Sequence, residues 1–222
     1  MQIPGGRRAI YHLLQEFERD TYGIRNIPSG SIRTFIDLGA NCGLVSLLIR
    51  CYHPKARIIA LEPNPDTYKM LAENLKNLGA ETHNMALANG EPVSMVRVST
   101  TLGQRWDVGE SAPKVTVPSI KLSTLMKQQE VLTKNKEGLL MLKVDVEGSE
   151  IHLMEDSELE SLRAFDIFVA ELHGNRTATT LAQFNVWLDR VFRDTHYIKN
   201  CGISRRLMIV QVTRTGLSFG EK

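Results

Sequence analysis

Apolar residues in this chain come in short blocks, and the spacing inside the blocks alternates along the sequence. The runs 34–38, 57–61 and 139–144 are apolar at nearly every position, which predicts strands buried on both faces. Between such runs, apolar residues recur at three- and four-residue intervals, predicting helices over about 44–51, 65–78, 122–130, 150–162 and 179–192. Asn64 followed by Pro65 supplies a helix cap and a first-turn proline, and Gly79 supplies the stop. Further strands are expected over 81–87 and 165–172. A last pair, 196–199 and 207–213, is joined by a loop short enough to make it antiparallel. Strands alternating with helices give an α/β fold of Rossmann-like type: a mostly parallel seven-stranded sheet, helices on both faces and a terminal antiparallel pair.

Two stretches stand outside this alternation. Residues 9–20 carry Ile10, Leu13, Leu14 and Phe17 on one helical stripe, so residues 1–30 are read as a helical extension of a single domain spanning 1–222. Residues 88–118 interrupt the pattern with short strands at 93–98 and 115–118. The polar stretch 99–113 between them, which contains Trp106, reads either as a lid or substrate-binding loop or as an exposed, poorly ordered loop. Trp187 shares a helical stripe with Phe184, Leu188 and Val191 and is assigned to the core.

Composition narrows the function classes. With 27 Lys and Arg against 25 Asp and Glu, the formal net charge of +2 gives no electrostatic case for nucleic-acid binding. The three cysteines show no C-x-x-C pairing, which argues against a disulfide framework or a zinc knuckle. Apolar runs stay short of the ~18 residues of a membrane span, and the first residues lack a signal-peptide pattern. A cytoplasmic protein is expected, and the sequence does not specify its oligomeric state.

The sharpest local signal is Phe35-Ile-Asp-Leu-Gly-Ala-Asn-Cys-Gly43, a buried strand ending in Asp37 and a turn bracketed by Gly39 and Gly43. Glu62 closes the next strand, where a carboxylate accepts both hydrogens of a ribose diol. The dinucleotide fingerprint G-x-G-x-x-G fails here, because Asn41 and Leu44 occupy two of its glycine positions. Asp37 also directs negative charge where a pyrophosphate would lie, and suits the ammonium of a methionine moiety, directly or through water. The loop Gly39, Ala40, Asn41 and Gly43, with Asp37 and Glu62, is therefore read as a site for S-adenosylmethionine. A closing antiparallel strand pair also belongs to the methyltransferase version of this sheet. An NAD(P)-dependent oxidoreductase is the competing enzyme reading, and it lacks a Tyr-x-x-x-Lys pair. A non-catalytic module that binds S-adenosylmethionine or a partner is the other alternative.

The segment Leu142-Lys-Val-Asp-Val-Glu-Gly-Ser-Glu150 completes the pattern K-x-D-x-E-G-x-E, and with it the chain resembles the FkbM-type methyltransferases. Asn84-Met-Ala86 and Glu171-Leu-His173 support the match. The segment Ile120–Leu125 departs from it, with Ser123 and Thr124 where the family carries acids. The resemblance covers about residues 33–173. It implies a class I methyltransferase fold and transfer of a methyl group from S-adenosylmethionine to a hydroxyl of a sugar, polyketide or related small-molecule or glycan acceptor. It also implies that Asp37, Gly39 and Glu62 hold the donor, with Asn84 or Met85 near the adenine.

On the acceptor side, Lys143 and Asp145 share one face of a strand, Glu147 follows at the turn, and Glu171 and His173 repeat the two-residue spacing. Crowded acids and an imidazole furnish a base, so Asp145, Glu147 and His173 form the expected catalytic set, with the base open among the three. The bland readings are a Lys143–Asp145 pair, a Glu147 that caps the next helix, and an ordinary loop histidine. Spacing alone does not specify a metal on Asp145, Glu171 and His173.

Overall fold

The computed structural model describes residues 18–96, 114–132, 137–174, 180–204 and 207–217. Its frame is a seven-stranded sheet of β1 (Ile32–Leu38), β2 (Arg57–Leu61), β3 (Ala80–His83), β8 (Leu139–Val144), β9 (Ile167–His173), β10 (His196–Ile203) and β11 (Leu207–Arg214). The strand order is β10-β11-β9-β8-β1-β2-β3. Only β11 runs antiparallel to its neighbours, pairing with both β9 and β10. The order reverses beside β1, which has β2 on one side and β8 on the other. In open α/β sheets, ligands bind outside the carboxyl ends of strands at such a point.

Alternate residues of a strand face opposite sides of the sheet, and here the parity is strict. Ile36, Leu38, Leu140, Leu142, Val144, Phe168, Ala170 and Leu172 join Phe184, Trp187 and Leu188 of helix α5 (Leu181–Phe192) in one core. Phe35, Ile58, Met141, Ile167 and Val169 face the other way, onto Ile24, Ile27 and helix α1 (Leu44–Tyr52). That second face changes character toward the carboxyl end. There the same parity puts Asp37, Lys143 and Glu171 in place of apolar residues, and His173 follows. A polar row therefore crowns one face of an otherwise apolar sheet.

Helix α2 (Pro65–Leu75) starts as expected: the Asn64 side chain accepts hydrogen bonds from the Asp66 and Thr67 amides, with Pro65 in the first turn. Thr180 and Gln183 form a reciprocal capping box at the start of α5. Helix α3 (Leu122–Gln128) has no side-chain cap from its own N-cap residue. Glu158 reaches it instead and accepts from the Ser123 amide at 2.7 Å and its hydroxyl at 2.6 Å.

Two expectations are corrected. The strand expected over 81–87 ends at His83; β4 (Ala86–Leu87) leaves the sheet and pairs in parallel with β7 (Ser119–Ile120). Asn84 forces the departure, because its Nδ2 donates to the carbonyls of Glu62 and Pro63, each at 2.9 Å. The helix expected over 150–162 is instead a 3₁₀ turn (Ser149–Met154), a second one (Asp156–Glu158) and a short α4 (Leu159–Arg163). Glu155 sits between the turns in extended conformation, and Glu150, Glu155 and Glu158 are each drawn to a separate tertiary partner. In the interruption, β5 (Val93–Val96) and β6 (Lys114–Val117) make an antiparallel hairpin. The stretch 99–113 with Trp106, and the N-terminal helix up to residue 17, lie outside the described residues.

Candidate active site

The loop after β1 is shaped by its neighbours more than by its own preferences. Gly39 has φ +77°, and a Cβ there would stand 1.8 Å from the Asp145 carbonyl oxygen, so any side chain is excluded. The Gly39 and Ala40 amides both donate to the Leu61 carbonyl, at 3.0 and 2.8 Å, which ties the loop to the end of β2. Gly43 has φ +89° and packs against Leu71 and Leu75 of α2. Its requirement comes from the left-handed backbone, with helix packing beside it. Asn41, also at positive φ (52°), donates its amide to Glu62 Oε2 at 3.0 Å, and Glu62 Oε1 accepts from the Asn64 amide at 2.9 Å. Glu62 is thus a rigid carboxylate, 3% exposed, fixed by two backbone donors.

Beside it lies a cleft of about 290 Å³. It is lined by Gly39, Asn41, Glu62 and Pro63, by the apolar side chains of Met85, Leu87 and Met95, and by Asp145, Glu147, Ser149 and His152. The switch point of the sheet, the glycine turn and the acid after β2 therefore open onto one space.

Under its floor is a buried charge cluster. Asp37 is fully buried; it accepts from the Ser46 hydroxyl at 2.7 Å and lies 3.3 Å from Lys143 Nζ. Lys143 donates to the Gly39 carbonyl at 2.7 Å and stands 3.9 Å from Asp145. Burial disfavours its ammonium, yet Asp37, Asp145 and Glu171 outweigh that and raise its pKa above the usual lysine value. Next along the row, the Tyr22 hydroxyl donates to Glu171 at 2.9 Å. His173, 6% exposed, bonds through Nδ1 to Glu150 at 2.7 Å, with Nε2 at 3.5 Å from Glu147. Burial again opposes the charged form, and the hydrogen bond and charge of Glu150, helped by Asp145 and Glu171, raise the His173 pKa.

With this geometry in place, comparison with known proteins is decisive. The profile of the methyltransferase FkbM domain matches residues 37–202. The chain belongs to that family. Methyltransferase sdnD of Sordaria araneosa is 29% identical over 65% of this chain and 67% of its own length. Methyltransferase 1 of Beauveria bassiana is 25% identical over 73% of this chain and 74% of its own. A crystal structure of an FkbM methyltransferase from Methylobacillus flagellatus superposes with a TM-score of 0.52 at 12% identity, over 82% of this chain and 44% of that one. The likeness establishes the same fold, and this chain spans less than half the length of that neighbour.

In this FkbM-family chain, the residues singled out from sequence fall into two groups. Gly39, Asn41, Glu62, Met85, Asp145 and Glu147 reach the cleft. Asp37, Ala40, Gly43, Asn84 and His173 stand behind its walls, where they hold the loop, the crossover after β3 and the rim carboxylates in place. Asp37 in particular turns its charge to Lys143 and Ser46 rather than into the space. Sequence reasoning missed Tyr22, Glu150, Ser149 and His152. Glu150 ends the family pattern, so it was visible as a residue, but its contact with His173 depends on how β8 and β9 pair.

Proposed function

We propose that this methyltransferase uses S-adenosylmethionine and methylates a hydroxyl oxygen of a small-molecule or glycan acceptor, a sugar, polyketide or related metabolite. The observation that supports the reading is one cleft lined both by Glu62 and the glycine turn and by the carboxylates of Asp145 and Glu147. The residues present fit the donor. Glu62 offers a carboxylate of fixed orientation to a ribose diol, Met85 and Leu61 offer apolar surface to a purine, and the acid-rich rim suits a cationic sulfonium. When bound, that donor supplies a methyl carbon activated by its sulfonium.

What remains for the protein is alignment, exclusion of water and management of one proton. Asp145 and Glu147 orient the acceptor hydroxyl, and the set of Asp145, Glu147 and His173 takes its proton, a contribution of roughly 10²–10⁴ where such a base acts. In the test, S-adenosylhomocysteine binding is measured by calorimetry, and turnover is followed with a panel of hydroxylated acceptors. Glu62→Ala should weaken binding more than about tenfold, a loss of at least ~1.4 kcal/mol. Unchanged affinity removes Glu62 from the site. Donor binding without turnover on any acceptor favours the non-catalytic reading.

A further inference from the structure

We propose that Asp145, Glu171 and His173 form a divalent-cation site at the rim of the cleft. One ligand atom from each residue falls within 4.8 Å of the other two, on neighbouring strand ends that share a face of the sheet. A cation between two oxygens and one imidazole nitrogen needs that convergence, and the sequence spacing gave no sign of it.

Two features distinguish this cluster from a crowd of acids. Asp145 Oδ1 is buried and accepts no hydrogen bond, an expense a ligand would remove. His173 is also held in place: the fully buried Glu150 bonds its Nδ1 at 2.7 Å, and the neutral ring with its proton on Nδ1 would offer Nε2 as a ligand atom. A carboxylate behind a ligating histidine is the usual outer-shell device of metal sites. Tyr22 orients Glu171 in the same manner, donating to its Oε1 at 2.9 Å. Nε2 stands 3.5 Å from Glu147, a contact that a bound cation would displace.

Charge points the same way. Asp37, Asp145 and Glu171 bear on the Lys143 ammonium, while Glu147 and Glu150 lie against His173. Lys143 is turned to Gly39 and Asp37, and lies 3.9 Å from Asp145. Two oxygen donors and one nitrogen, with positions left for water or substrate, suit magnesium or manganese more than a closed zinc site. Resting on the oxygen-methylation reading above, the cation would polarise the acceptor hydroxyl and leave Glu147 as the carboxylate facing it.

Manganese(II) is the probe. Titrated into the metal-free protein without donor, it should show one site by electron paramagnetic resonance, with nitrogen modulation in the spin-echo signal from one imidazole. Asp145→Asn and His173→Gln should each weaken binding at least tenfold, and His173→Gln should abolish the nitrogen modulation. Asp156→Asn, a surface acid paired with Arg190, should leave it unchanged. Circular dichroism verifies that each variant folds, and Asp145→Asn carries the test alone if His173→Gln does not. Absence of a bound ion, or binding indifferent to Asp145→Asn, overturns the proposal. S-adenosylhomocysteine affinity, measured on the same samples, separates the two readings: donor binding without manganese sinks the cation site alone, and manganese binding without donor sinks the donor reading alone.

Discussion

Gly39→Ala isolates the contact on which the floor of the cleft depends. An added Cβ would lie 1.8 Å from the Asp145 carbonyl oxygen, whereas carbon–oxygen contacts settle near ~3.3 Å, so one segment must retreat by roughly 1.5 Å. Neither can do so alone. The Gly39 amide is bonded to Leu61 at 3.0 Å, its carbonyl to Lys143 at 2.7 Å, and the Asp145 amide to Leu38 at 3.0 Å. Losing most of these at about 1 kcal/mol each, with ~1 kcal/mol for an alanine at positive φ, gives a cost of roughly 3–5 kcal/mol.

Two further glycines calibrate the number. Gly43→Ala meets a leucine methyl of Leu71 at 2.9 Å, which can rotate aside, so about 1–2 kcal/mol is expected. Gly79→Ala has the same kind of backbone strain with no atom within 4 Å, and about 1 kcal/mol is expected. Urea denaturation of the three variants gives the order, and S-adenosylhomocysteine calorimetry should show donor binding lost only in Gly39→Ala. If Gly39→Ala falls within about 0.5 kcal/mol of Gly79→Ala, the loop is softer than its hydrogen bonds imply and the reasoning fails.

Other consequences are open to measurement. Lys143→Met leaves Asp37, fully buried, without its cation and should cost roughly 3–5 kcal/mol by chemical denaturation; adding Asp37→Asn should restore part of that loss. His53 is buried with its pKa lowered from 6.5 to about 4 by desolvation. The folded protein therefore keeps it neutral while the unfolded chain binds a proton. Its stabilising effect is complete above 6.5 and fades as pH falls toward about 4. Its Nδ1 accepts from the Ile32 amide, and an asparagine oxygen can replace that acceptor. The stability gap between wild type and His53→Asn, followed by denaturation at about pH 7 and about pH 4, should shrink by roughly 2–3 kcal/mol; a constant gap would contradict the assignment.

How far the sequence could be read follows from where the relevant forces act. β2 and β8 were legible to the residue, and β1 nearly so, because strands covered on both faces must be apolar almost throughout. The capped start of α2 was legible because capping is local chemistry. The segment 149–163 was misread for the opposite reason. Its helical spacing is real, but Glu150, Glu155 and Glu158 find His173, Lys121 and Ser123 far away in sequence, and those contacts outweigh local propensity. Glu62 and the glycine turn drew the nucleoside reading through residue type and spacing, and the structure brings them to one cleft. The destination of Asp37 does not, since a carboxylate at the end of β1 looks the same in sequence whether it faces a ligand or a buried lysine.

The short excursion of the chain after His83 has an evolutionary corollary. Because β4 pairs with β7 and β5 with β6, outside the principal sheet, the described residues of this excursion can be rebuilt without re-registering a strand of the frame. Met95 belongs to this appended side, while Gly39 and Glu62 belong to the frame. Diversification on one bank of the cleft is therefore cheap, and the opposite bank stays fixed while the repertoire of guests changes.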